Sequence, residues 1–428
     1  MRLKTLLLAA ALPLSALAAA NTTAPDPATA LLAELEQGRF AQAHARFNPA
    51  MAQAVSSPAL TQLWQQLAQS LGALQRIEPD QTRQVEGNDV STHLLHFQHG
   101  TVRATTAVDK AGHISGFHLA PVASAAAAPP ADAPFTETAL QVVAGPGPLG
   151  ATLSLPKGPG PFPAVVLVHG SGPQDRDESV GPNKPFADIA HGLAAQGIAV
   201  LRYDKRSQAR PQDFAQGASL ALETTDDAIA AVALLKAQPG IDAGKVYVLG
   251  HSQGGMLASH IAKAGQAAGA ILFAAPARPI LDLLREQNVY LLAQSPQITA
   301  EAAKAHLDQL DAQIAALRSD KTAELPQLPG LTGAYWQELE AVDVIGQTRD
   351  AGLPTLLLQG GRDFQVVDAD WNRLQAGLQG ERFSFHHYPT LNHLGIAGNG
   401  PGTLAEYQQP GKVDAGLIND IAHWIHAQ

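Results

Sequence analysis

The sequence predicts an α/β protein with a mostly parallel central sheet and a helical cap, preceded by a small α+β domain. Three observations lead there. Short continuous apolar runs at residues 164–169, 198–203, 245–249, 270–273 and 355–358 lack alternation, as strands buried on both faces of a parallel sheet do. Helix-like segments lie between them, for example at residues 186–196 and 225–237, which is the α/β layout. Ahead of both stands a region of different texture, set off by residues 121–134, which are almost entirely Ala and Pro. Such a stretch buries too little apolar surface to fold and reads as a linker.

The chain has 428 residues, more than one typical domain holds, and a formal charge of −10. That acidic balance argues against a nucleic-acid partner. No cysteine is present, which excludes disulfides, a thiolate nucleophile and a thiolate zinc site. Residues 1–20 read as a secretory signal: Arg2 and Lys4 precede an apolar run over 6–19, and Ala18-Ala19-Ala20 supplies small residues for cleavage. The run is short for a membrane span. The expectation is an exported protein, periplasmic or secreted, with no integral membrane segment after signal removal.

Residues 21–120 are expected to form the small α+β domain. Leu31, Leu32, Leu35 and Phe40, then Leu60, Leu63, Trp64, Leu67 and Leu71, recur near helical spacing, in a helical region reaching about Ile77. Strand-like runs at 90–97, 101–108 and 114–119 follow, with Asp109-Lys110-Ala111-Gly112 as a hairpin turn. Residues 135–428 open with a hairpin across Gly145-Pro146-Gly147 and continue with the α/β alternation. From about 279 to 346 only helical signals occur, such as Leu307, Leu310, Ile314 and Leu317. An inserted helical cap over the strand ends is therefore expected. Its Tyr335 and Trp336 either line an apolar acyl pocket or simply pack the cap.

Gly250-His251-Ser252-Gln253-Gly254 follows the apolar strand at 246–249 and precedes a helix-like segment. This is the strand–turn–helix setting in which G-x-S-x-G presents a serine hydroxyl for nucleophilic attack. A serine needs a base, and the base needs an orienting group, in the chain order Ser, Asp or Glu, His. Asp363 stands after the strand at 355–358 and its glycine turn, and His393 stands on the loop after a strand at 383–388. Asp368 and Asp370 are nearby competitors, but they look like the first turn of a helix. His386 and His387 lie within a strand. The oxyanion of such a reaction needs two donors. The backbone N–H of Gln253 is one candidate, and that of Ser171, with Gly170 as its neighbour, is the other. Two charged clusters remain, Gln174-Asp175-Arg176-Asp177-Glu178 and Tyr203-Asp204-Lys205-Arg206. They either support the oxyanion loop and orient substrate or brace two loops as an ion-pair network.

The linked motifs His169-Gly170-Ser171-Gly172-Pro173-Gln174-Asp175-Arg176-Asp177, Arg202-Tyr203-Asp204-Lys205-Arg206 and Gly250-His251-Ser252-Gln253-Gly254-Gly255 resemble a bacterial branch of the α/β-hydrolases. Members of that branch are described as serine esterases or dienelactone-hydrolase-like proteins, and serine aminopeptidases are more distantly similar. The resemblance runs from about Phe135 to the C-terminus. It implies a metal-free, cofactor-free hydrolase with Ser252, Asp363 and His393 as triad, acting on a small-molecule acyl ester. Dienelactone hydrolases proper use a cysteine, so their substrate does not carry over. A peptidase or amidase, or a binding protein with a vestigial hydrolase, are the alternative readings. The segment before the linker resembles a domain of unknown function found ahead of such hydrolases.

Overall fold

The computed structural model describes residues 26–85, 87–98, 100–122, 129–295, 298–325 and 330–428. The expected signal, residues 1–20, lies outside them. The chain divides into two compact units between Ser124 and Ala125. No helix among the described residues is long and apolar enough to cross a membrane.

In the first unit, helices Pro27–Glu36, Phe40–Ala45, Pro49–Ala54 and Ser57–Leu71 precede an antiparallel meander. Asp26, Asn48 and Ser56 each accept a hydrogen bond from a first-turn amide, and each helix they start has a proline in its first turn. The side chain satisfies an orphan donor where the proline has none to offer. The strands are β1 (Leu74–Val85), β2 (Asn88–Phe97), β3 (Gly100–Val108) and β4 (Ile114–Val122), paired in that order. Leu95, Phe97, Val102, Ala104, Val108 and Ile114 pack against Leu31, Leu32, Leu35, Leu60 and Trp64. The helical region ends at Leu71 rather than about Ile77, and β1 was not expected. It is a polar edge strand containing Pro79, with register irregularities at 74–76 and 79–81. Nothing in its polarity announces a strand, and proline is tolerated there because an edge strand leaves one row of amides unpaired. The Ala/Pro stretch is also shorter than 121–134: β4 runs to Val122, and Ala133 is buried against Phe135 and Ala194.

The second unit holds β5 (Phe135–Ala144), β6 (Gly147–Pro156), β7 (Phe162–Val168), β8 (Ala199–Tyr203), β9 (Ile241–His251), β10 (Gly269–Phe273), β11 (Thr355–Gly360) and β12 (Phe383–Tyr388). Their order across the sheet is β12-β11-β10-β9-β7-β8-β6-β5. The six strands from β12 to β8 are parallel, while β6 is antiparallel to both β8 and β5. Along β7, Ala164, Val166 and Val168 face one apolar cluster and Val165 and Leu167 the other. Two covered faces explain why these strands carry no polar alternation.

Between β10 and β11 the chain makes helices Ile280–Ala293, Ala300–Ser319, Gly333–Glu340 and Val344–Ala351. Their Leu310, Ile314, Leu317, Tyr335, Trp336 and Leu339 belong to the same apolar cluster as Met256 and Leu257 of helix Gln253–Ala264. The insertion is thus packed into the body of the unit. Tyr335 and Trp336 are both buried there.

Candidate active site

β9 ends at His251, Ser252 turns the chain, and helix Gln253–Ala264 begins at once. Ser252 adopts φ 53° and ψ −118°, a conformation that costs a non-glycine residue of order 1–3 kcal/mol. Close packing enforces it. A Cβ on Gly250 would lie 2.0 Å from the Gly254 carbonyl oxygen, and one on Gly254 would lie 2.3 Å from that of Val168. The glycines therefore let helix and strands approach, and the strain falls on the serine between them. Its own N–H donates to the Phe273 carbonyl at 2.9 Å.

Asp363 follows β11 and His393 follows β12, and the fold brings them together. His393 Nδ1 donates to Asp363 Oδ2 at 2.6 Å, with both side chains almost wholly buried. The other carboxylate oxygen accepts the N–H groups of Gln365 and Val366 at 2.8 and 2.9 Å, which fixes the carboxylate plane. The neighbouring His251 locates the serine relative to this pair: its ring packs at a tilt of 48° against that of His393, with centroids 4.6 Å apart. Its Nε2 also donates to the His393 carbonyl at 2.9 Å. Among the described residues Ser252 Oγ makes no hydrogen bond, so the structure joins His393 to Asp363 but does not join the serine to them.

The competitors lie elsewhere. His387 pairs with the exposed Asp368, and His386 pairs with Asp420. Asp370 is buried, but it accepts from the Ala277 and Arg278 amides and pairs with the Arg278 guanidinium at the entry to the insertion.

The candidate oxyanion donors separate. The N–H groups of Gln253 and Ser171 have no partner among the described residues, and Gln253 opens a helix, where the first amides lack intrahelical acceptors. Gly170 packs against Ser252, since a Cβ there would stand 3.2 Å from Ser252 Cβ. Its N–H, however, donates to Glu178 Oε1 at 2.6 Å. Gly170 is therefore corrected from a candidate donor to the support of one.

Most of the two charged clusters brace loops. Arg176 pairs with Asp204, Asp177 with Arg202, and Arg206 with Asp213 and Asp227. Glu178 and Lys205 are different, because both end on Gly170. Glu178 has a positive φ of 51°, shared among non-glycine described residues only with Ser252, Gln266 and Ala274. Its Oε2 is 2.9 Å from His251 Nδ1, close enough to form an ion pair when the imidazole is protonated. Burial alone would lower the pKa of His251, but the Glu178 carboxylate, the His393 carbonyl and the Asp363 charge together outweigh it and raise the value. Burial pushes the Glu178 carboxyl up, and the His251 charge and the Gly170 amide bring it below its ordinary value. On the other side, Lys205 Nζ donates to the Gly170 carbonyl at 2.7 Å. Next to it, burial holds His169 at a pKa of about 4. The sequence marked these clusters but not their convergence on one residue.

Two cavities of about 500 and 300 Å³ flank the loops around Arg362 and Gly400. Neither is lined by Ser252 or His393, so neither is assigned as the acyl site.

The mixed eight-stranded sheet and a strained serine between strand and helix define a serine hydrolase of the α/β-hydrolase fold. Residues 161–396 match the family described as serine aminopeptidase, S33, and the chain belongs to that family. Residues 28–117 match a protein family of unknown function, DUF3887. Esterase EstD of Thermotoga maritima is 34% identical over 378 residues, covering 87% of this chain and 88% of that protein. Among solved structures, Est1E from Butyrivibrio proteoclasticus matches with a TM-score of 0.45 and 17% identity, over 68% of this chain and 99% of that one. The esterase domain of a Rhodothermus marinus protein matches with a TM-score of 0.42 and 18% identity, over 68% and 98%.

Proposed function

We propose that the protein hydrolyses carboxylic esters of small molecules through an acyl-enzyme on Ser252. The observation that carries the reading is the buried 2.6 Å pair of His393 Nδ1 and Asp363 Oδ2, which commits one ring nitrogen and leaves Nε2 to serve the neighbouring serine. Ser252 Oγ attacks the ester carbonyl while His393 Nε2 takes its proton and Asp363 holds the imidazolium. The N–H groups of Gln253 and Ser171 receive the oxyanion, and the N-terminus of helix Gln253–Ala264 adds a favourable dipole. His393 then returns the proton to the departing alcohol. Water, deprotonated by His393, releases the acid from Ser252 by the reverse sequence.

Ser252→Ala is expected to lower kcat on p-nitrophenyl esters by about a millionfold and to abolish labelling by a fluorophosphonate probe. Near-normal turnover by that variant would remove Ser252 from the reaction. The esterase relative supports ester over amide substrates. The family description names an aminopeptidase, so peptide hydrolysis is the second reading. Parallel turnover of p-nitrophenyl esters and aminoacyl p-nitroanilides separates the two. Export belongs to the same proposal and rests on residues 1–20. Cell fractionation with N-terminal sequencing tests it, the mature chain being expected to start after residue 20.

A further inference from the structure

The Gly170–Ser171 peptide is not a free turn. Behind it lies a buried polar chain that ends in the inserted helices. Lys205 Nζ, 2.7 Å from the Gly170 carbonyl, is also 2.8 Å from Glu223 Oε1. Glu223 Oε2 accepts from Gln253 Nε2 at 2.9 Å and from the Tyr335 hydroxyl at 2.8 Å. Gln253 Nε2 also donates to the Tyr335 oxygen at 3.0 Å. Lys205, Glu223, Gln253 and Tyr335 are all less than 5% exposed. Glu223 sits in a π-helical turn, Ala221–Thr225, a rare conformation that occurs frequently at functional sites. Helix Gly333–Glu340 also holds the start of that turn, because Glu338 Oε2 accepts the Leu220 N–H at 2.9 Å.

The geometry points to Lys205, Glu223 and Tyr335 as positioning residues through which the inserted helix Gly333–Glu340 sets the oxyanion hole. In a trans peptide the carbonyl and the next N–H point in opposite directions. The Gly170–Ser171 bond is trans. An ammonium on the Gly170 oxygen thus aims the Ser171 N–H away from itself and polarises the amide, which strengthens that N–H as a donor. The same Glu223 that seats this ammonium anchors the side chain of Gln253, whose backbone carries the second donor. One carboxylate therefore ties together the two groups that must meet one oxygen. Burial raises the Glu223 pKa, but the Lys205 charge and the bonds it accepts outweigh this and keep it ionised. A buried ion pair is a costly way to stabilise a fold, since an apolar replacement is often as stable, so its placement against the donor peptide calls for a functional account.

The inference rests on the proposed acyl-enzyme chemistry, and its test keeps the two apart. Lys205→Met and Tyr335→Phe are assayed per active site, titrated with a fluorophosphonate, and their affinity for a trifluoromethyl ketone is measured. That inhibitor forms a hemiketal oxyanion on the serine. Lys205→Met is expected to lose about 100-fold in kcat, and Tyr335→Phe about fivefold, with KM within twofold. Trifluoromethyl ketone affinity should fall in proportion to kcat/KM. A merely structural role would lower the titre of active sites and leave the constants per site unchanged. That result, or loss of kcat without loss of inhibitor affinity, overturns the inference. Where Lys205→Met does not fold, Tyr335→Phe, which loses one hydroxyl, decides on the same two readouts. Retained labelling in Ser252→Ala would instead sink the chemistry beneath it.

Discussion

The two sides of the candidate site are held by different forces. On the acid–base side, Asp363 and His393 are fixed by short loops, backbone amides and one charge-assisted bond. On the oxyanion side, Gly170 is gripped at its N–H by Glu178 and at its carbonyl by Lys205, each backed by a further buried titratable group, His251 and Glu223. The contrast follows from what each side must do. An imidazole that shuttles protons needs one fixed nitrogen and one free. A donor peptide has to be rigid before negative charge arrives, because a reorganising peptide would cancel much of its own stabilisation. The ion pairs supply that rigidity at a site with no regular secondary structure.

The comparison can be broken from either side. The largest effect is expected on the acid–base side. Asp363→Asn should cost about 10⁴-fold in kcat while leaving the melting temperature close to normal, since the carboxamide keeps the backbone bonds but favours the wrong imidazole tautomer. A small kcat loss would show that His393 is oriented by something else. On the oxyanion side, Glu178→Gln can still receive the Gly170 amide but strands the buried His251. It should cost roughly 3 kcal/mol of stability by urea denaturation, and about tenfold in kcat. Stability unchanged at pH 6 would mean that the 2.9 Å pair carries no ionic attraction.

His169, beside Gly170, titrates at about 4 in the folded chain against an ordinary 6.5. Between those values the unfolded chain binds a proton that the folded chain refuses, so stability falls as pH drops through that window. The loss is roughly 3 kcal/mol when complete. His169→Gln should flatten the dependence, measured as the urea midpoint at pH 7 and pH 4.5. An unaltered slope would move the acid sensitivity to other groups. The smallest effect belongs to the exposed His387–Asp368 pair, which resembles the His393–Asp363 pair only in type. His387→Ala should shift stability by less than about 0.5 kcal/mol and leave kcat unchanged. A large activity loss there would reopen the choice of imidazole.

What was legible in the chain follows the range of the forces involved. The apolar runs of β7 to β11 could be read because each strand meets two covered faces, and that requirement is local to the strand. Ser252, Asp363 and His393 could be read because each follows a strand of the same sheet, and a parallel sheet delivers all such loops to one edge. Strand β1 escaped because an exposed edge strand needs no apolar pattern, and the helical texture ahead of it masked its start.

The sequence by itself determined the sheet and the strand–serine–helix turn at Ser252, since periodicity and glycine placement act over a few residues. Only the tertiary structure decided which amide beside Ser252 is free. Gly170 and Ser171 are adjacent, and the difference between them is made by Glu178 and Lys205, reached across 8 and 35 residues. The tie from Glu223 to Tyr335 spans 112 residues. Buried charges choose partners by proximity in the folded state, where the low dielectric makes an unpaired group expensive, and no spacing in the chain records that choice.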